Sequence, residues 1–207
     1  MGSFLTNYQV KTEDYDKVIK IMEQIAKKSA FVAPAKNGWI AVYDETSEEQ
    51  DEKELHRVAS GLSSSLRCAV FAFLVHDDDV FIYLLYDNGT LIDIYNSVPD
   101  YFGTVSKQER DTWKGHPEKL AAYALPEIKE PQIALILKEQ RIFALETVIE
   151  FVSFFGIDAV RAYFGFNYIQ GDDDVTCEMP DVNTFKLVRG KGYPKSTNNV
   201  IRFPAKE

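Results

Sequence analysis

Two neighbouring runs, Cys68 to Val75 and Val80 to Tyr86, carry large apolar side chains at both odd and even positions. Successive side chains of a strand point to opposite faces, so a strand of this composition has no face suited to water. In the second run Val80, Ile82 and Leu84 oppose Phe81, Tyr83 and Leu85, which predicts an interior strand covered on both sides. The chain must supply two covers, or borrow one from a second copy of itself as a homodimer. One cover is expected from two early amphipathic helices, through Val18, Ile25, Leu55 and Leu62. The other is expected from a helix near Leu145 to Phe155. With 207 residues, 45% of them hydrophobic and 13% aromatic, there is enough apolar material for such a layered core.

The rest of the pattern supplies the elements. "FLTNYQV" reads as a strand, and from Thr12, a suitable N-cap, Val18, Ile19, Met22, Ile25 and Ala26 recur at helical spacing. "AFVAPA" and "GWIAVYDE" read as short strands joined by a turn around Lys36 to Gly38. Ser47 with Gln50 matches a capping box ahead of a helix whose Leu55, Val58, Ala59, Leu62 and Leu66 share a face, with Glu48 and Glu49 set to complement its amide end. Strands follow at about 68–75, 80–86 and 90–95, the last two joined by Asp87-Asn88-Gly89, a tight-turn signal. The order β-α-β-β-α-β, extended by a hairpin, resembles the split βαβ or ferredoxin-like arrangement.

After "SVPDYFG" the pattern becomes more helical: Ser106 with Glu109 is a second capping-box match, Pro117 suits a first helical turn, and Pro126 and Pro131 interrupt any longer helix. "AVRAYFGFNYIQ" reads as a short helix running into a strand, "TFKLVRG" as a last strand, and the final residues as a basic tail. The expected fold class is α+β: a mixed or antiparallel sheet unit over residues 1–103, packed against a mainly helical region over 104–207.

Composition narrows the function classes. A net charge of -9 argues against general nucleic-acid binding, which needs Lys and Arg to neutralise phosphates. No apolar run reaches the roughly 20 residues that span a bilayer. The N-terminus lacks the charged, apolar and cleavable regions of a secretory signal, although "MGSFLT" loosely fits a myristoylation pattern through Gly2. Cys68 and Cys177 lie far apart without metal spacing, so a cytoplasmic location with reduced thiols is the simpler expectation. "DETSEEQDEKE" from Asp44 to Glu54 is an acidic block, whereas the segment from Lys186 to Lys206 is basic.

Few residues suggest chemistry. His76 precedes Asp77, Asp78 and Asp79, which are hard oxygen donors suited to a divalent cation. With Asp93, and the second triplet Asp172 to Asp174 if the fold brought it near, His76, Asp77 and Asp79 could serve a metal-dependent hydrolase. The competing reading is a hairpin turn, since adjacent carboxylates do not readily converge on one ion and Asp favours turns. "SGLSSSL" lacks the G-x-S-x-G pattern of a nucleophile elbow, Cys68 opens an apolar strand, and Gly190-Lys191 lacks phosphate-loop spacing. "FAFLVHDDDV" and "FGFNYIQGDDDV" echo each other as a strand entering an acidic turn, through duplication or coincidence. Aromatic density on the sheet, with "YNSVPDYF" at a strand end, points to a groove in which Trp39, Tyr95, Asn96, Asp100, Tyr101 and Phe102 bind a ligand.

No cofactor is implied, and no reaction motif is present. The leading expectation is a non-enzymatic cytoplasmic interaction or regulatory protein with a protein or small-molecule partner. A metal-dependent hydrolase and a small-molecule-binding domain with an aromatic groove are the alternatives.

Overall fold

The computed structural model describes residues 2–139, 141–171 and 175–191. The fold is mixed α+β. Its strands are β1 (Leu5–Val10), β2 (Ser29–Val32), β3 (Ile40–Asp44), β4 (Ala69–His76), β5 (Val80–Asp87), β6 (Thr90–Asn96) and β7 (Lys186–Arg189). They form one sheet in the order β6-β5-β4-β1-β3-β2-β7, with every pairing antiparallel. The inner order β4-β1-β3-β2, with helices α1 (Tyr15–Ile25) and α2 (Glu52–Leu66) on one face, is the split βαβ arrangement expected from the element order. Two hairpins extend it to β6, and β7 extends the other edge.

The first cover forms as the periodicity predicts. Val18 and Met22 of α1 and Leu55, Val58, Ala59 and Leu62 of α2 pack on Tyr8, Val42, Ala72 and Leu84. The N-caps differ from expectation. Asp14, not Thr12, caps α1 by accepting from the Lys17 amide, while Thr12 accepts from the Asp14 amide one turn earlier. Asp51, not Ser47, caps α2. Ser47 begins a separate 3₁₀ turn, and its hydroxyl and amide are drawn inward to the Asp44 carboxylate at 2.8 and 2.9 Å. A buried partner outcompetes the local cap, because the local pattern specifies only which bonds are possible.

After α3 (Lys107–Thr112), which buries no side chain, the second cover comes from shorter helices: α4 (Pro117–Leu120), α5 (Glu130–Lys138), α6 (Ala144–Ser153), α7 (Ala159–Ala162), α8 (Phe166–Gly171) and α9 (Val175–Glu178). The box of Ser106 and Glu109 caps α3, and prolines occupy the first turns of α4 and α5. Phe151 of α6 stacks on Tyr83 at 4.9 Å and 20°, and with Phe155 it meets Phe71. Phe81, Tyr83 and Leu85 are thus sealed on this face, while Leu84 packs into the cluster on the other. Farther along, Phe166 and Ile169 of α8 cover Phe31 and Tyr43. Between these two apolar clusters runs a polar seam. Asn7 donates to the carbonyls of Ala162 and Phe164, and Gln9 and Tyr43 donate to that of Arg161, so the sheet satisfies the end of a helix too short to cap itself.

The two acidic echoes do not share a structure. Residues 71–76 are strand, whereas Phe166–Gly171, expected as strand, is the helix α8. Asp172 to Asp174 and the tail from residue 192 lie outside the described residues. Among the described residues no helix is long and apolar enough to cross a membrane.

Candidate binding groove

The β4–β5 turn gives each aspartate a separate task. Asp77 and Asp78 take positive φ of 50° and 58°, and the Asp79 amide closes the turn onto the His76 carbonyl at 3.0 Å. Asp77 accepts from the Gly2 amide. Asp78 accepts from Leu145 N through its carboxylate and from Ala144 N through its carbonyl, and so caps α6 from outside that helix. Asp79 accepts from the Tyr101 hydroxyl. Of the four residues proposed for a metal, Asp93 is buried on the opposite face of the sheet from His76. It accepts from Tyr83 Oη at 2.7 Å, from His116 N at 2.9 Å and from His116 Nδ1 at 2.6 Å. A bulge opposite Leu85/Tyr86 turns Ile92 and Asp93 toward that same face. The structure does not bring the four together, and no three His, Cys, Asp or Glu side chains group as a metal site among the described residues.

His76 instead lines a groove. On the α1/α2 face, Leu74, Ile82, Leu84, Ile94 and Asn96 form a floor across β4, β5 and β6, beyond the start of α2. Leu55 and the segment Glu49 to Glu52 make one wall, and the loop from Pro99 to Val105 with Trp113 makes the other, enclosing about 570 Å³. The loop is tied at several points. Ser97 exchanges hydrogen bonds with the backbone of Phe81, and Asp100 pairs with Arg110 and accepts from Val105 N. The Val105 amide and the Arg110 guanidinium hold the Asp100 carboxyl below its usual range. Trp113 carries the wall because its carbonyl accepts from Asn96 N at 2.8 Å, a rung added to the free edge of β6.

The tautomer of His76 follows from its neighbours. Gln50, held at a positive φ of 57°, donates Nε2 to the Val75 carbonyl at 2.8 Å, so its oxygen faces His76 Nδ1 at 2.6 Å. Nδ1 therefore carries a proton, and in the neutral imidazole Nε2 is left as an acceptor. Phe4, Tyr101 and Phe102 set their rings edge-on around the imidazole, and Phe102 remains 65% exposed. Among the described residues, His76 Nε2, Asn96 Nδ2 and the Trp113 indole N–H have no hydrogen-bond partner.

Of the residues expected to bind, Asn96 and Phe102 line this groove, and Asp100 and Tyr101 anchor its loop. Tyr95 and Trp39 lie in the core of the other face. Tyr95 donates to the Leu137 carbonyl, with burial pushing its hydroxyl up to about 12, and Trp39 donates to the Phe155 carbonyl. The chain thus does not use its aromatic residues as one surface. Gln50, Trp113 and the aliphatic floor were missed, although Ile82, Leu84 and Ile94 at alternate positions of neighbouring strands mark one continuous apolar face. The acidic block is also divided: Asp44 and Glu54 are buried, and Glu48 accepts from the amides of Thr6 and Phe166. Comparisons with family models, with curated proteins and with solved structures yield no match.

Proposed function

We propose that the protein is a cytoplasmic binding module with no reaction of its own, and that its groove receives the apolar part of a small-molecule ligand. The observation that carries this reading is the groove: about 570 Å³ between an aliphatic floor and an aromatic wall, within the range of small-ligand sites, lined by residues with three polar groups that have no partner among the described residues. Burying one phenyl ring contributes about 2–3 kcal/mol, short of the roughly 4 kcal/mol that a millimolar Kd represents, so affinities for simple probes belong in the millimolar range or weaker. The reading of the Asp-rich turn as a hydrolase centre draws no support from carboxylates that are separately engaged. Two free thiols suit a reducing compartment.

The test is a thermal-shift and fluorescence titration with phenylbutyl compounds on the protein and on Val105→Trp. That substitution places an indole in the groove from an exposed loop. Saturable binding should weaken at least about tenfold in the variant while its unligated melting temperature stays close to that of the parent. Equal binding to both would place the ligand elsewhere and end this assignment.

A further inference from the structure

We infer that the groove selects a small molecule bearing a protonated amine beside its apolar body; this rests on the reading of the groove as a ligand site. The charge around the opening is one-sided. Among the described residues, Glu49 and Glu52 are the ionisable side chains of the lining besides His76, and no Lys or Arg lines it. Gln50 adds no charge, and its amide nitrogen and oxygen already bond Val75 and His76. In its neutral form His76 adds a lone pair at Nε2, which an ammonium N–H can meet and a carboxylate cannot.

Three neighbouring features bear on this assignment. Lys28 engages Oε1 of Glu49 at 2.9 Å, and His56 stands 3.7 Å from Oε1 of Glu52, so among the described residues one oxygen of each carboxylate stays available. The start of α2 presents amide dipoles that favour an anion, but Asp51 caps it by accepting from Lys53 N, and Glu52 and Glu54 already occupy its first turn. The chain's charge of -9 adds a field that draws cations and repels anions on approach. The neutral donors, Trp113 N–H and Asn96 Nδ2, suit a hydroxyl or carbonyl on the same ligand without reversing the preference. The ligand class that fits is an aryl- or alkyl-amine whose apolar part fills the floor of Ile82, Leu84 and Ile94 and whose ammonium sits between the two glutamates.

The experiment compares three molecules of one shape, phenylbutylamine, phenylbutanol and phenylbutyrate, by calorimetry on the full chain and on the double variant Glu49→Gln/Glu52→Gln. Both glutamates are exposed, and alcohol binding by the variant reports that its groove is intact. The expected result is an amine at least about tenfold tighter than the alcohol, with the carboxylate weakest. That preference should shrink in high salt and vanish in the variant. An alcohol as tight as the amine, or a preference that survives the double variant, overturns the amine assignment and leaves the groove reading standing. No binding by any of the three overturns both. Binding of a capped Phe-Lys dipeptide about tenfold tighter than the amine would move the assignment from a small molecule to a protein segment.

Discussion

Glu48 is a carboxylate placed where a neutral group would be at ease. Burial raises its pKa to about 7, even though the amides of Thr6 and Phe166 donate to it. The folded chain therefore holds a proton there that the unfolded chain, with an ordinary glutamate, releases near pH 4.3. The sign follows: this group's contribution to stability rises as pH falls from about 7 toward the unfolded value, and the charged form is a cost above it. Glu48→Gln should remove that slope. Between pH 8 and pH 5 the difference in unfolding free energy between parent and variant should change by about 1–2 kcal/mol, after allowance for the partly exposed side chain. Parallel slopes in denaturant titrations at the two pH values would refute it. Gly89 presents the opposite kind of constraint. It sits at φ 79°, and an added Cβ would lie 2.7 Å from the Ser64 Cβ, so Gly89→Ala should cost about 1–3 kcal/mol in a thermal melt. Asn88→Gly, at a position already left-handed, should be near neutral. Such turn chemistry was legible in the sequence because it is local. The role of Glu48 was not: an acidic run reads as solvated until the amides it meets, 42 and 118 residues away, are known.

At the scale of elements, α6 has Phe143 at its N-cap, which offers no side-chain cap, and Asp78 supplies one from the β4–β5 turn. Asp78→Ala should cost about 1 kcal/mol, whereas Asp79→Asn, which keeps an acceptor for Tyr101, should cost little. Neither aspartate is expected to report on metal: millimolar Mg²⁺, Mn²⁺ or Ca²⁺ should leave the melting temperature unchanged. A rise abolished by Asp77→Asn would restore the metal reading, since a ligand bound only to the native state must stabilise it. Element type was readable wherever the hydrophobic period was long, as in α2, or the turn residues distinctive, as at Asn88-Gly89. It failed at Phe166–Gly171, where an F-x-F start suited a strand. Six residues are too few for periodicity to decide, and packing on Phe31 settled the matter. The groove was half legible for the same reason. Asn96 and Phe102 lie on the strand-end loop that drew notice, but its floor is shared among three strands and its walls come from residues near 50, 100 and 113.

For the whole molecule, the sheet is held between two layers made at different times. Residues 1–103 contain β1 to β6 and one cover, but not α6, α8 or β7. Expressed alone they should self-associate or aggregate, with Phe71, Phe73, Phe81 and Tyr83 open to solvent on one side and the edge of β2 unpaired on the other. Sedimentation and dye binding would show it; a monomer that unfolds cooperatively would mean that one cover suffices. The same arrangement sets a schedule for the nascent chain. Once Asn96 has left the ribosome, every strand needed for the aromatic face exists, yet residues 97–143 must follow before α6 arrives, roughly 2–10 s at bacterial or eukaryotic elongation rates. During that interval the stickiest surface of the protein has no lid, so the pace of decoding across those codons governs how much chain reaches the folded state. Synonymous slow codons placed there should lower the soluble yield of an unaltered polypeptide, while the same codons placed after Phe155 should not.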